Sequence, residues 1–246
     1  LDLTPRSRGA AGRARPCRGY PVGVLLLAID TSTSAITVAV HDGSQILAEA
    51  ATIDARGHAE HLAPRVAEVL ATAGRAAAEL TDVVVGLGPG PFTGLRVGIV
   101  TARTLAFAVG ARLHGLGSLD ALAHGAGRAG LVEPGASLLV ATDARRREVY
   151  WARYEWTGAE PRLLDGPHVG RAAELPEPVL ALGAVGRGPM LYPDALAGIP
   201  GAPLDVAAGA LADLAVRRLA AGADLGAGEL LYLRRPDAAP LPPAAP

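Results

Sequence analysis

The stretch Val85–Arg103, VGLGPGPFTGLRVGIVTAR, decides the fold of this chain. The apolar run that leads into it predicts a buried strand, and residues 95–109 behind it predict a helix. The glycines between them permit positive φ and a close approach of another backbone, while two prolines stiffen the turn. Thr93 is predicted to be the N-cap of the helix. The stretch therefore predicts a strand, a rigid glycine loop and a helix in succession.

This glycine loop has two interpretations. A helix start carries unpaired N–H groups and a partial positive charge, so the loop could cradle an anion. It could equally be a tight corner that sets the angle of the helix, and we favour the corner. The nucleoside-triphosphate P-loop is excluded because no lysine follows the glycines, and all 23 basic residues of the chain are arginine.

The composition restricts the class of protein. The chain has 246 residues, of which 50% are hydrophobic, and its net charge is −1. This length allows one large domain or two lobes, and the charge does not favour nucleic-acid binding by bulk electrostatics. The single Cys17 excludes an intramolecular disulfide framework and fits a cytoplasmic protein. Since no run reaches about 18 apolar residues, we expect no membrane span.

The order of predicted elements indicates a duplicated α/β fold. Residues 24–30 predict a central strand, and two further strands joined by an Asp-Gly hairpin turn complete a meander. Residues 136–156 repeat part of this pattern. We therefore predict two β-meander-plus-helices lobes, with residues 157–178 as loop and 179–183 as a buried strand. The predicted segments are a disordered extension (1–23), lobe I (24–118), lobe II (119–235, with a helix over 205–221) and a disordered tail (236–246).

Four segments carry a resemblance to a known family. They are LLLAIDTST (25–33), GHAEHLAP (57–64), VGLGPGPFTGLRVGIVTARTLA (85–106) and LYLRR (231–235). Together they resemble the bacterial TsaB (YeaZ) family, and the glycine-loop match is the longest and most specific. The resemblance implies a two-lobed actin/sugar-kinase/Hsp70-like fold.

The resemblance also implies a role in making the t6A modification of tRNA. The chain would be a non-catalytic subunit that binds and organises TsaD, which transfers threonylcarbamoyl from threonylcarbamoyl-adenylate to N6 of adenosine 37. Its implied partners are a TsaD-like transferase in a heterodimer, a TsaE-like ATPase and, through the complex, tRNA. We expect no cofactor of its own, with ATP and metal on the partner subunits, and a homodimer when it is alone. The alternative is a self-sufficient actin-fold enzyme: a carbamoyltransferase, a phosphotransferase or a glycoprotease-like hydrolase.

Two loops could together be the vestige of a phosphate site. In the actin and kinase superfamily the first hairpin wraps ATP phosphates, whereas the alternative is a turn whose polar side chains satisfy local backbone groups. We assign no catalytic residue. The residues concerned are Asp30, Thr31, Ser32 and Thr33 in the hairpin and Gly88, Gly90, Thr93 and Gly94 in the glycine loop.

Two histidines share one side of the first predicted helix. His58 and His61 are three residues apart, a spacing that could in principle hold a metal. No third ligand is evident, so a role at the helix start or at an interface is favoured.

The first predicted helix also presents more apolar surface than one lobe needs. Together with helix 94–109 it could form half of a four-helix contact with another actin-like chain, because flat apolar patches mark partner sites. The predicted interface residues are His58, Ala59, Leu62, Ala63, Val66, Leu70, Leu95 and Arg103.

A cluster of arginines forms the predicted hairpin tip of lobe II. Asp143 precedes Arg145, Arg146 and Arg147, and such a cluster could bind a phosphate or the tRNA backbone. The favoured interpretation is a solvated turn.

Overall fold

A computed structural model describes residues 23–54, 57–226 and 233. The predicted disordered segments at either end, except Gly23, and most of LYLRR lie outside these residues. The described chain contains two β-sheets whose inner faces enclose two helices. The strands are β1 (Leu26–Asp30), β2 (Ala35–His41), β3 (Ile46–Ile53), β4 (Asp82–Gly86), β5 (Arg112–Leu116), β6 (Ser137–Asp143), β7 (Glu148–Trp156), β8 (Pro161–Arg171) and β9 (Ala184–Val185). The helices are α1 (His58–Thr72), α2 (Phe92–Val109), α3 (Ser118–Arg128), α4 (Glu177–Leu180), α5 (Arg187–Leu191) and α6 (Ala208–Ala220).

The two sheets repeat one topology. The first has the order β3-β2-β1-β4-β5 and the second β8-β7-β6-β9. In each, three antiparallel strands form a meander, and its first strand pairs in parallel with a later one. This duplicated arrangement confirms the predicted α/β class with two actin-like sheets.

Helices and sheets alternate as layers. Helices α1 and α2 cover the outer face of the first sheet, where alternate residues of its central strands meet Leu62, Val69 and Ile99. Helices α3 and α6 lie between the sheets. Helix α6 belongs to the second half of the sequence but packs on the first sheet, while α3 packs on the second. The largest buried cluster therefore lies between the two sheets and joins them.

Several local predictions are confirmed and others are wrong. Strand β2 and the start of α1 have the predicted positions, and Gly74 adopts the left-handed φ of +64° that follows a helix end. The predicted loop over 157–178 contains the 11-residue strand β8 instead. Its prolines are tolerated because β8 is an edge strand. The strand predicted over 179–183 is the end of α4 and a turn, since a short apolar run alone does not separate helix from strand.

Helix α2 is long and apolar enough to pass a length-and-composition test for a membrane span. One face of the helix is buried against the first sheet through Ile99, Ala102 and Ala106. A core helix passes the same test, so α2 is weak evidence for a membrane. The helix predicted over residues 95–109 is shorter than this test requires, whereas α2 begins at Phe92 and has 18 residues.

Candidate functional site

A narrow cleft separates the loops that follow the first strands of the two meanders. Its walls come from the first hairpin, the glycine loop, the end of β6 and the start of α5. The lining residues are Ser32, Thr33, Ser34, Pro91, Thr142, Asp143, Arg145 and Arg187. The space available to the centre of a water molecule is about 10 Å³, roughly what one water needs. The topology thus brings the two Asp-containing loops together, but it leaves almost no free volume between them.

Asp30 lies beneath this cleft and is fully buried. Its Oδ1 accepts the backbone N–H and the hydroxyl of Ser32, at 2.8 and 2.7 Å. Its Oδ2 accepts the hydroxyl of Ser118 at 2.6 Å. Burial raises the pKa of Asp30, and the hydrogen bonds from Ser118 and Ser32 oppose that rise. Asp30 therefore uses both oxygens to fasten its own hairpin to the start of α3.

The glycine loop packs directly on the first hairpin. A Cβ at Gly90 would overlap the carbonyl oxygen of Ser32, and one at Gly94 would lie 2.7 Å from the carbonyl oxygen of Thr31. The Thr31 hydroxyl donates to the carbonyl of Gly94 at 2.8 Å. This geometry supports the tight-corner interpretation, because the glycines admit a neighbouring backbone.

The predicted N-cap of α2 is wrong, and the starts of α2 and α3 lack side-chain caps. Helix α2 begins at Phe92 with Pro91 as its N-cap, so Thr93 lies within the first turn and is exposed. Helix α3 begins at Ser118 with Gly117 as its N-cap, and neither cap makes a side-chain hydrogen bond. The hydroxyl of Ser118, the first residue of α3, instead donates to Asp30 and accepts the N–H of Gly88 at 3.0 Å.

The two histidines of α1 have separate partners. Nε2 of buried His58 lies 3.2 Å from the carbonyl oxygen of Thr33, so His58 ties the helix start to the first hairpin. Nε2 of His61 lies 3.2 Å from Oδ2 of Asp54. Within the described ranges, no group of three or more His, Cys, Asp or Glu residues is arranged to hold a metal ion.

Five of the eight predicted interface residues are buried within the chain itself. Leu62, Val66 and Leu70 pack against the first sheet, as Ile99 and Ala102 of α2 also do. Assigning a partner surface to the buried residues was therefore wrong, and these are His58, Leu62, Val66, Leu70 and Leu95. The amphipathic stripe was identified correctly, but it is covered by the chain's own sheet. Ala59, Ala63 and Arg103 are exposed, and their contact with a partner stays a prediction.

An exposed apolar stripe on α2 was missed. Val100 is 59% exposed and Phe107 90% exposed. Arg96 and Arg103 are also exposed and follow the same helical spacing of i, i+4, i+7 and i+11. That spacing could have revealed the stripe from sequence. Beside it, α1 exposes the small residues Ala59, Ala63 and Ala67.

The arginine turn after β6 is exposed and has an uncommon backbone. Arg145, Arg146 and Arg147 all adopt positive φ, at 62°, 53° and 62°. Asp143 accepts the backbone N–H of Arg145 at 2.7 Å and pairs with its guanidinium at 3.2 Å. This local pairing agrees with a solvated turn, and phosphate binding there stays a prediction.

A second charged pair borders the same cleft. Arg187 donates two hydrogen bonds to Asp205, at 2.8 and 2.7 Å. The hydrogen bond to Asp205 raises the pKa of Arg187, against the effect of burial. Sequence reasoning missed this pair because its members are 18 residues apart and no motif joins them. It fixes α5 to the segment before α6 and fills one wall of the cleft.

Comparison with known proteins gives consistent matches. A family model described as TsaD, tRNA N6-adenosine threonylcarbamoyltransferase, matches residues 45–180, which is more than half of the chain. An uncharacterized protein of Mycobacterium tuberculosis is 44% identical over 222 residues, which cover 88% of this chain and 94% of that protein.

Two named relatives extend these matches. The tRNA threonylcarbamoyladenosine biosynthesis protein TsaB of Escherichia coli is 35% identical over 151 residues, 58% of this chain and 63% of that protein. The solved structure of YeaZ from Pseudomonas aeruginosa superposes with a TM-score of 0.71 at 32% identity. That match covers 83% of this chain and 96% of the solved one.

Proposed function

This chain belongs to the TsaB (YeaZ) family, and from that premise we propose that it is a non-catalytic subunit of the machinery that makes threonylcarbamoyladenosine in tRNA. It binds a TsaD-like threonylcarbamoyltransferase and holds it in an active arrangement. In this proposal the partner subunits, including a TsaE-like ATPase, hold the ATP and the metal. The tRNA is bound through the complex, in the cytoplasm.

The observation that carries the proposal is the exposed stripe of α2. Exposed apolar and cationic side chains alternate along it, because Val100 lies between Arg96 and Arg103 and Phe107 follows one turn later. A partner that covers Phe107 would remove a large apolar side chain from water. Aromatic and arginine side chains are also the types enriched at protein interfaces. The small exposed residues of α1 lie on the neighbouring helix and allow a partner's helices to approach closely.

The match to the TsaD family model supports the kind of partner. A model of the transferase family matches residues 45–180 of this chain, a range that contains α1 and α2. A transferase of the same architecture would carry an equivalent helix pair. Two such pairs can meet as a four-helix contact about a pseudo-twofold axis. The same symmetry explains why a homodimer is the expected state of the chain alone.

The packing of the cleft supports a non-catalytic role. The glycine loop and the first hairpin are in direct contact, and both oxygens of Asp30 already accept hydrogen bonds from Ser32 and Ser118. A bound nucleotide would have to separate these loops, which costs their mutual hydrogen bonds and packing. The chain uses the loops for shape, and we assign the transfer chemistry to the partner.

The test is co-elution with a TsaD-like protein from the same source. Phe107→Glu should remain folded, because its side chain is exposed, and should lose co-elution. Leu163→Glu is the matched control, since Leu163 is also an exposed apolar side chain but lies on β8 in the other sheet. Normal co-elution of Phe107→Glu would refute the proposed surface, and transfer of threonylcarbamoyl by this chain alone would refute the non-catalytic role.

A further inference from the structure

A second cavity lies at the opposite end of β2 from the cleft. It is bounded by the β2–β3 turn, the last turns of α3 and the first half of α6, and its volume is about 460 Å³. Such a volume is within the range of small-molecule sites. His41 ends β2 and Asp213 lies on α6, so the cavity is formed jointly by the first sheet and the helices between the sheets.

His41 carries an unused polar atom at this cavity. The residue is only 2% exposed and lines the cavity. Its Nδ1 accepts the backbone N–H of Gly43 at 2.9 Å, so a neutral ring carries its proton on Nε2. Burial lowers the pKa of His41, which favours that neutral form. Among the residues that the structure describes, Nε2 has no hydrogen-bond partner, and it is open to the cavity rather than sealed from solvent.

Two charged side chains complete the lining. Arg128 is about half exposed, and its closest ion-pair contact is 3.6 Å from Nε to Oδ2 of Asp213, which is too long for a strong hydrogen bond. Oδ2 of Asp213 already binds His124 Nε2 at 2.7 Å and Arg217 Nε at 2.8 Å. Its Oδ1 has no hydrogen-bond partner within the described part of the chain. The cavity thus offers a guanidinium, an imidazole N–H and one open carboxylate oxygen.

From this set of groups we propose that the cavity binds a small organic carboxylate that also carries a hydrogen-bond donor. The ligand's carboxylate lies against Arg128 and accepts the Nε2–H of His41, and its donor faces Oδ1 of Asp213. The half-exposed Ile46 side chain and Ala210 line the cavity and contact the carbon skeleton. A guanidinium is the side chain best suited to a carboxylate. The site is separate from the α2 surface, so the proposal does not depend on partner binding.

The experiment is a calorimetric titration of the full chain with three probes. Malate carries carboxylates and a hydroxyl donor, succinate carries carboxylates alone, and malamide is the uncharged counterpart of malate. We expect saturable binding in the order malate, succinate, malamide. We also expect malate to shift the ring ¹⁵N signal of His41. No saturable binding of malate, or equal binding of malate and malamide, would overturn the proposal.

Two variants test the assigned contacts. Arg128→Gln should weaken malate binding about tenfold or more, and tenfold corresponds to about 1.4 kcal/mol. His41→Asn keeps an acceptor for the Gly43 N–H, as an Asx turn would, but it removes the Nε2 donor and should also weaken binding. The control is Arg171→Gln. Arg171 is exposed, pairs with the nearby Glu174 and does not line this cavity. Unchanged binding in Arg128→Gln with a normal thermal midpoint would show the assignment to be wrong.

Discussion

The hydroxyl of Ser118 donates a hydrogen bond of 2.6 Å to Oδ2 of the fully buried Asp30. These residues are 88 positions apart and join the end of β1 to the start of α3. Because the Ser118 oxygen also accepts the Gly88 N–H, one side chain connects the first hairpin, the glycine loop and α3. The two loops that were predicted as the vestige of a phosphate site are here a hydrogen-bonded junction.

Ser118→Ala should therefore lower the free energy of unfolding by about 1–3 kcal/mol, since it leaves Oδ2 of Asp30 and the Gly88 N–H without these hydrogen bonds in a buried place. Urea denaturation measures the loss. Ser44→Ala is the matched control, because the Ser44 hydroxyl makes a similar bond of 2.7 Å to Asp42 but is exposed. Its effect should stay within about 0.5 kcal/mol. Equal losses in the two variants would contradict the role given to the junction.

The contact between the glycine loop and the hairpin predicts an intolerance of any side chain at Gly90. Gly90→Ala should destabilise the chain, because its Cβ would overlap the backbone of Ser32 and neither backbone can move cheaply. Thermal unfolding is the measurement. The same substitution in α3, Gly125→Ala, meets only Ala210 at 3.4 Å and should be neutral or stabilising by up to about 1 kcal/mol. A Gly90→Ala protein as stable as Gly125→Ala would mean that the loops are not in contact.

The Asp213 network predicts how stability depends on acid. Burial alone would raise the pKa of Asp213, but hydrogen bonds from His124 and Arg217 together lower it well below 3.8. A carboxyl group with a depressed folded-state pKa contributes stability that is present above 3.8 and is lost as the pH falls below it. Urea denaturation at neutral pH and below pH 3.8 should show this loss.

Asp213→Asn separates this contribution from general acid unfolding. The variant should lose about 1–3 kcal/mol at neutral pH, and its stability should fall less steeply with acid than that of the parent chain. Asp165→Asn serves as the control, because Asp165 also bonds a histidine, His168 at 2.8 Å, but does so at the surface. An acid profile of Asp213→Asn identical to that of the parent would refute the assignment.

Sequence patterns predicted the architecture because the signals were local. The Asp-Gly turn and the β-rich run of residues 35–41 specify a meander, and the run of glycines specifies a close approach. The patterns could not identify what each surface meets. A stripe such as Leu62 and Val66 has the same periodicity whether it is covered by a sheet or by another chain. Likewise, the bond from Ser118 to Asp30 depends on a separation of 88 residues, which no local pattern reports.

Neighbouring residues of α1 provide the sharpest test of which surface binds a partner. Leu62 is 1% exposed and packs in the core against the first sheet, whereas Ala63, the next residue, is exposed. Leu62→Asp should prevent folding, because it removes a core side chain and buries an unpaired charge. Ala63→Asp should leave the circular dichroism spectrum and the thermal midpoint almost unchanged while abolishing co-elution with the TsaD-like protein. If Ala63→Asp still co-elutes while Phe107→Glu does not, the contact involves α2 without α1, and a four-helix arrangement is wrong.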